Sequence, residues 1–176
     1  MIFQKTKISG LYVIDLELKC DERGYFSRIF CEEEFVKIGV DFKVVQASQS
    51  FTRKRGTIRG MHFQKYPKAE DKIVRCIKGS VYDIAVDLRS DSLTFGQWFA
   101  QELNETNNKM IFIPKGLAHG FQALQDDSII EYFMSEFYAP DHADGVRWDD
   151  PLFKIAWPIA DSTLSDRDKN WPLMKK

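Results

Sequence analysis

The stretch KIVRCIKGSVYDIAVDLR, residues 72–89, decides the fold. Its first part is a short apolar run broken at Gly79, and in its second part Ile84, Val86 and Leu88 alternate with Ala85 and Asp87. A period of two places successive side chains on opposite faces, so the stretch predicts two strands joined by a glycine turn. The same reading extends outward through MIFIP (110–114), HGFQAL (119–124) and SIIEYFMSEFY (128–138), with turn signals at Pro114 to Gly116 and at Gln125 to Ser128. One helix is predicted, in CEEEFVKIG (31–39): acids come early, Phe35 and Ile38 share a face, and Gly39 is the stop. Many closely spaced strands and few helices predict an all-β fold, a barrel or two-sheet sandwich. From about residue 150 to 176, between WDDPLFKIAWP and LSDRDKNWPL, the chain is irregular and rich in Pro and Trp. That part is expected to lie over the barrel as an extended cover within a single domain spanning 1–176.

Length and charge bound the function. A chain of 176 residues can bury a real core. Its 25 Lys and Arg stand against 26 Asp and Glu, so no global basic field points to nucleic acid, and an anionic ligand must be held locally. No apolar run approaches the roughly 20 residues of a membrane span, and the apolar stretch in MIFQKTKISG is too short for a signal peptide. A cytoplasmic protein with no membrane partner is expected. Cys20, Cys31 and Cys76 have neither CxxC spacing nor an even count, which predicts three reduced thiols.

Two kinds of chemistry suit the residues present. His62 lies in RGTIRGMHFQ (55–64) and His119 in GLAHGF, and paired imidazoles in a β-barrel invite a metal. The count opposes this, because His62, His119 and His142 are the only histidines and no HxH pair stands beside a spaced Glu; no metal is expected. Proton transfer is the other possibility. His62 would be the base with Asp168 orienting its ring, Tyr132 or Tyr138 would donate, and Lys72 or Arg59 would stabilise an enolate. Against it stands a plain structural reading, with the His in the core, the tyrosines in an aromatic stripe and Lys72 a solvated charge.

Taken in order, RGTIRGMHFQ, KIVRCIKGSVYDIAVDLR, TFGQW, FIPKGLAHGFQAL, FYAPDHADGVRWDDP and LSDRD resemble the dTDP-4-dehydrorhamnose 3,5-epimerase family from about Asp21 to Asp168. The resemblance implies a cupin-type jelly-roll barrel, a homodimer, a nucleotide-sugar substrate and no cofactor. It implies His62 as general base, Asp168 as its acidic partner, Tyr132 as general acid and Lys72 beside the C4 oxygen. Arg23, Gln46, Arg59, His119 and Arg167 match substrate-binding positions, and Tyr138 matches an aromatic residue packed by the thymine ring.

Four positions depart from the family pattern. Arg28, Ser48 and Ala143 stand at ligand-contact positions where Glu, Asn and Glu are usual, and Phe133 replaces a basic residue. Reversing a charge beside a diphosphate is not a neutral exchange. The expected activity is therefore 3,5-epimerisation of a dTDP-4-keto-6-deoxyhexose. A 3- or 5-monoepimerase, a 3,4-ketoisomerase and a non-catalytic nucleotide-sugar-binding cupin are its rivals.

Overall fold

The computed structural model describes residues 1–174. In chain order the strands are β1 (Ile2–Lys5), β2 (Tyr12–Asp15), β3 (Lys19–Asp21) and β4 (Gly24–Phe26), followed by helix α1 (Glu32–Lys37). Then come β5 (Gln46–Thr52), β6 (Ile58–Gln64), β7 (Lys72–Lys78), β8 (Ser80–Asp87), β9 (Trp98–Asn104), β10 (Lys109–Ile113), β11 (Leu117–Ala123), β12 (Ser128–Met134) and β13 (Ala143–Gly145). A short helix α2 (Asp166–Lys169) ends the series. The two predicted strands of 72–89 are β7 and β8, and the predicted helix is α1. The stretch 128–138 stays extended only to Met134, after which Ser135 to Tyr138 leave the sheet.

Two antiparallel sheets form the body. One has the order β1-β2-β10-β7-β12-β5 and the other β13-β6-β11-β8-β9, while β3 and β4 make a separate hairpin. Between the sheets lie Val74, Ile111, Ile113 and Ile130 from the first and Val81, Ala85, Leu103, Leu117 and Phe121 from the second. This is the jelly-roll arrangement.

Both sheets also bury part of their outer faces. Outside the first, Phe35 of α1 packs with Phe30, Phe42 and Phe112 at ring-centroid separations of 5.4–5.8 Å. Glu32, Glu33 and Glu34 stand in the first turn of α1, where negative charge is favoured, and Gly39 follows its end at φ 81°. Outside the second sheet, Ile84, Val86, Met61 and Ala118 pack against Val146 and Phe153, with Leu152, Ile155 and Trp157 around them. Leu152 to Trp157, with Met174, thus cover this face. The alternation in β8 therefore separates two buried faces rather than a wet one from a dry one. Ile84 and Val86 meet the cover, whereas Val81, Asp83 and Ala85 face the interior between the sheets.

Among the described residues, Cys20, Cys31 and Cys76 are free thiols, no cluster of His, Cys, Asp and Glu could hold a metal ion, and no helix is long and apolar enough to cross a membrane.

Candidate active site

The site is built from the inward-facing positions at one end of the two sheets. On β6 and β11 the register sets His62 opposite His119. The strands approach closely beside this pair: a Cβ on Gly60, whose φ is 144°, would lie 2.5 Å from Gly120 Cα, so only glycine fits. On the facing sheet Tyr132 pairs with Val74 and with Ser48, and Lys72 pairs with Met134. Since Val74 and Ile130 point into the interior, Lys72 and Tyr132 do as well.

Two hollows share Arg59, His62 and Tyr132 and form one cleft. The first, ≈ 550 Å³, is also lined by Ser50, Ser165, Arg167 and Asp168. The second, ≈ 420 Å³, adds Gln46, Ser48, Lys72, His119, Phe121, Met134 and Tyr138. Ten of the residues singled out from sequence thus come together: His62, Asp168, Tyr132, Lys72, Gln46, Ser48, Arg59, His119, Tyr138 and Arg167.

His62 is held by the C-terminal cover. Its Nε2 lies 2.6 Å from Asp168 Oδ1, and the imidazole is 44% exposed while the carboxylate is 6% exposed. Asp168 sits in α2, whose first turn is capped by Ser165 accepting from the Asp168 N–H at 3.1 Å. The carboxylate also accepts from Gly60 N at 3.4 Å and from Trp171 Nε1 at 3.3 Å. Burial alone would raise the Asp168 pKa, but His62 and these donors outweigh it and hold the carboxyl below its usual range. An ionised Asp168 accepts from Nε2–H and leaves Nδ1 as the ring atom free to take a proton.

Tyr132 is opposite in character. Burial first, and then the negative charge of Asp83, push its phenol well above the ordinary value, with Ser50 and Arg59 acting against them. The phenol stays protonated at neutral pH. Its ring meets His119 edge-on at 6.0 Å. Lys72 is buried rather than solvated, with Nζ 2.9 Å from Glu70 Oε1. Arg59 donates to Thr52 Oγ1 at 3.1 Å and to the Phe51 carbonyl at 2.9 Å, and Arg167 stacks over Trp171 at 4.9 Å. Gln46 accepts from the Tyr138 N–H at 3.1 Å, joining β5 to the segment that carries Tyr138.

Other positions lie outside this lining. Arg23, on the exposed β3–β4 hairpin, is paired with Asp21 at 2.6 Å. Arg28 is 3.0 Å from Glu34 Oε1, so the introduced charge meets an acid of its own chain. Ala143 pairs with Gln64 on β13, and Phe133 packs in the outer aromatic cluster.

Three residues were missed in the sequence. Asp83, fully buried, meets His119 Nε2 through Oδ2 at 2.9 Å. Its signal was a single acid inside the apolar run SVYDIAV, the kind of buried charge that needs a partner. Glu70 lies two residues before Lys72, and Trp171 three residues after Asp168; neither spacing announces a contact.

Comparison with known proteins gives this geometry its context. The family model described as dTDP-4-dehydrorhamnose 3,5-epimerase matches residues 5–176. The dTDP-4-dehydrorhamnose 3,5-epimerase of Methanothermobacter thermautotrophicus is 41% identical over 99% of this chain and 95% of its own length. The crystal structure of the enzyme of that name from Elizabethkingia anophelis superposes with a TM-score of 0.95 at 36% identity, covering 98% of this chain and 96% of that one. A Legionella pneumophila epimerase, solved in complex with dTDP-4-keto-L-rhamnose, gives 0.92 at 33% identity over 98% and 92% of the two chains. With matches spanning nearly its whole length in both sequence and fold, the chain belongs to the dTDP-4-dehydrorhamnose 3,5-epimerase family.

Proposed function

We propose that the protein converts dTDP-4-dehydro-6-deoxy-D-glucose to dTDP-4-dehydro-L-rhamnose by inverting C3 and C5. The observation that carries this is a His62–Asp168 pair and a partly buried, protonated Tyr132 lining one cleft that also holds the ammonium of Lys72.

A hydrogen alpha to a ketone is too weak an acid for imidazole unless the enolate is stabilised. His62 takes that proton, the C–H electron pair moves to form the C–C double bond, and the carbonyl pair moves onto the C4 oxygen. Lys72 supplies positive charge there. Asp168 stabilises the imidazolium without taking its proton. Tyr132 then gives its proton to the opposite face of the same carbon as the enolate collapses to the ketone. Solvent returns a proton to the phenolate and removes one from His62. Every proton and electron pair is accounted for without an added reactant. Arg59 and Arg167 supply local cations for the diphosphate of a chain that is nearly neutral overall.

The same reading makes the protein a cytoplasmic homodimer. The hairpin bearing Arg23 also exposes Tyr25 and Phe26, 62% and 64% accessible, and β5 is an open sheet edge beside the cleft. A second copy docked there would cover these groups and bring Arg23 to a neighbouring site.

Incubation with the 4-keto-6-deoxyglucose nucleotide in deuterated water, read by NMR, tests the function. Deuterium at both C3 and C5 with formation of the L-sugar is expected. Label at one carbon alone reduces the activity to monoepimerisation, a shifted carbonyl makes it a ketoisomerase, and no exchange leaves a binding protein.

A further inference from the structure

Trp171 stands at a junction that the proton-transfer scheme does not use. In the register of β13 with β6, Gly145 lies directly opposite His62. The indole lies flat on that glycine: a Cβ on Gly145 would be 2.4 Å from Trp171 Cε2 and 2.6 Å from Cδ2. From this seat the ring makes three contacts. Its Nε1–H donates to Asp168 Oδ1 at 3.3 Å, the same oxygen that His62 Nε2 meets at 2.6 Å. Its edge meets the His62 ring at a centroid distance of 6.1 Å and an angle of 69°. Its face carries the Arg167 guanidinium at 4.9 Å, at the wall of the larger hollow.

We propose that Trp171 is a positioning residue that sets the His62–Asp168 pair through its N–H and holds Arg167 toward the substrate's anionic end through its face. The proposal rests on the epimerase reading above. Oδ1 is shared between the imidazole and the indole, and a donor on a carboxylate oxygen spreads its negative charge. Removing the indole N–H leaves Oδ1 to the imidazole alone, so the contact that orients the His62 ring changes in length and angle. The guanidinium is held separately, by the quadrupole of the ring face, which a phenyl ring retains and an aliphatic side chain does not. The two roles therefore come apart by substitution.

Trp171→Phe keeps a ring on Gly145 and loses only the N–H. It is expected to lower kcat about fivefold and leave KM within about twofold. Trp171→Leu should add a rise in KM of about three- to tenfold, because Arg167 loses its platform. Gly145→Ala, which changes no polar group but pushes the indole off β13, should reproduce the Leu pattern. A further readout needs no substrate: the downfield proton that His62 shares with Asp168, followed by NMR in the free protein, should shift in Trp171→Phe. Wild-type kcat and proton resonance in Trp171→Phe would overturn the proposal and make the indole a plug. If the wild-type protein itself catalysed no exchange, the epimerase reading would fall, and the proton resonance would still decide whether Trp171 acts on the pair.

Discussion

His62 and His119 stand opposite each other on neighbouring strands, and each ring meets its own carboxylate through Nε2, Asp168 at 2.6 Å and Asp83 at 2.9 Å. Access separates them. The His62 side chain is 44% exposed and that of His119 6%, so one can exchange its proton with substrate and solvent while the other is fixed beneath the cleft. Asp83 is more extreme, since its Oδ1 is buried with no hydrogen-bond partner among the described residues. Burial holds its pKa above the usual carboxylate range, against the opposing effects of His119 and Lys72.

Asp83 predicts an effect at alkaline pH, where its carboxyl is ionised. The Tyr132 phenol is raised by burial and then by Asp83, so Asp83→Asn removes one of the two causes. The alkaline limb of the kcat profile, where the acid is lost by ionisation, should move to lower pH in Asp83→Asn. An unmoved limb would mean that burial alone keeps the phenol loaded.

Lys72 and Glu70 predict that activity and stability separate. Replacing Lys72 by Met removes the cation from the enolate and should lower kcat by about 10²–10³-fold. It also leaves Glu70, only 12% exposed, without its partner at 2.9 Å, at a cost of roughly 2–4 kcal/mol. Adding Glu70→Gln removes the stranded charge. The double variant should recover most of the denaturant midpoint and none of the kcat. Recovery of activity would show that Lys72 serves the fold alone.

Asp87 carries a prediction about the fold. It is fully buried and accepts from Arg89 Nε and Nη2, Ser92 Oγ and Thr94 Oγ1, tying down the loop between β8 and β9. Burial opposes its ionisation, but these donors prevail and its pKa falls from 3.8 to about 2. A depressed carboxylate contributes stability that is fully present above its unfolded value and lost as pH falls through the folded one. The contribution, about 2 kcal/mol, should disappear between roughly pH 4 and pH 2. Asp87→Asn should be less stable than wild type at pH 7 by that order, with the difference closing at pH 2 in urea titrations. A constant difference would assign the cost to lost packing.

The parts of this molecule that are periodic or local could be read from its sequence. β7, β8 and α1 follow from spacing, the acids of the first turn and Gly39, each of which acts within a few residues. Residue types suggested a proton-transfer set, but only resemblance chose it over a plain structural reading, because its contacts cross the chain: His62 and Asp168 are 106 positions apart, and His119 and Asp83 are 36. Alternation in β8 marked Asp83 as facing away from Ile84 but could not tell a solvated face from an interior one. What settles this is the cover, and its apolar residues have no period that shows where they dock. Arg23 and Arg28 show the converse limit, since matching a position in sequence does not bring a side chain into this cleft.

Inversion needs two faces, and this predicts that losing the base and losing the acid have different consequences. In His62→Ala the cleft keeps Lys72 and Tyr132, but neither is a base at neutral pH: one is an ammonium paired with Glu70, the other a phenol held above its ordinary value. Exchange of substrate hydrogen with deuterated solvent should therefore stop at both carbons. Tyr132→Phe leaves His62 on Asp168, so the enolate still forms, and the imidazolium returns a proton to the face from which it was taken. Between removal and return, that proton can be replaced by deuterium from solvent, since His62 is the exposed member of its pair. The variant should wash deuterium into the starting sugar faster than it makes the inverted one, whereas in the wild type label accumulates mainly in product. NMR of both sugar pools over time gives the two rates. Inversion by Tyr132→Phe at the wild-type rate would remove Tyr132 as the acid and turn attention to Tyr138, on the same cleft, or to a bound water.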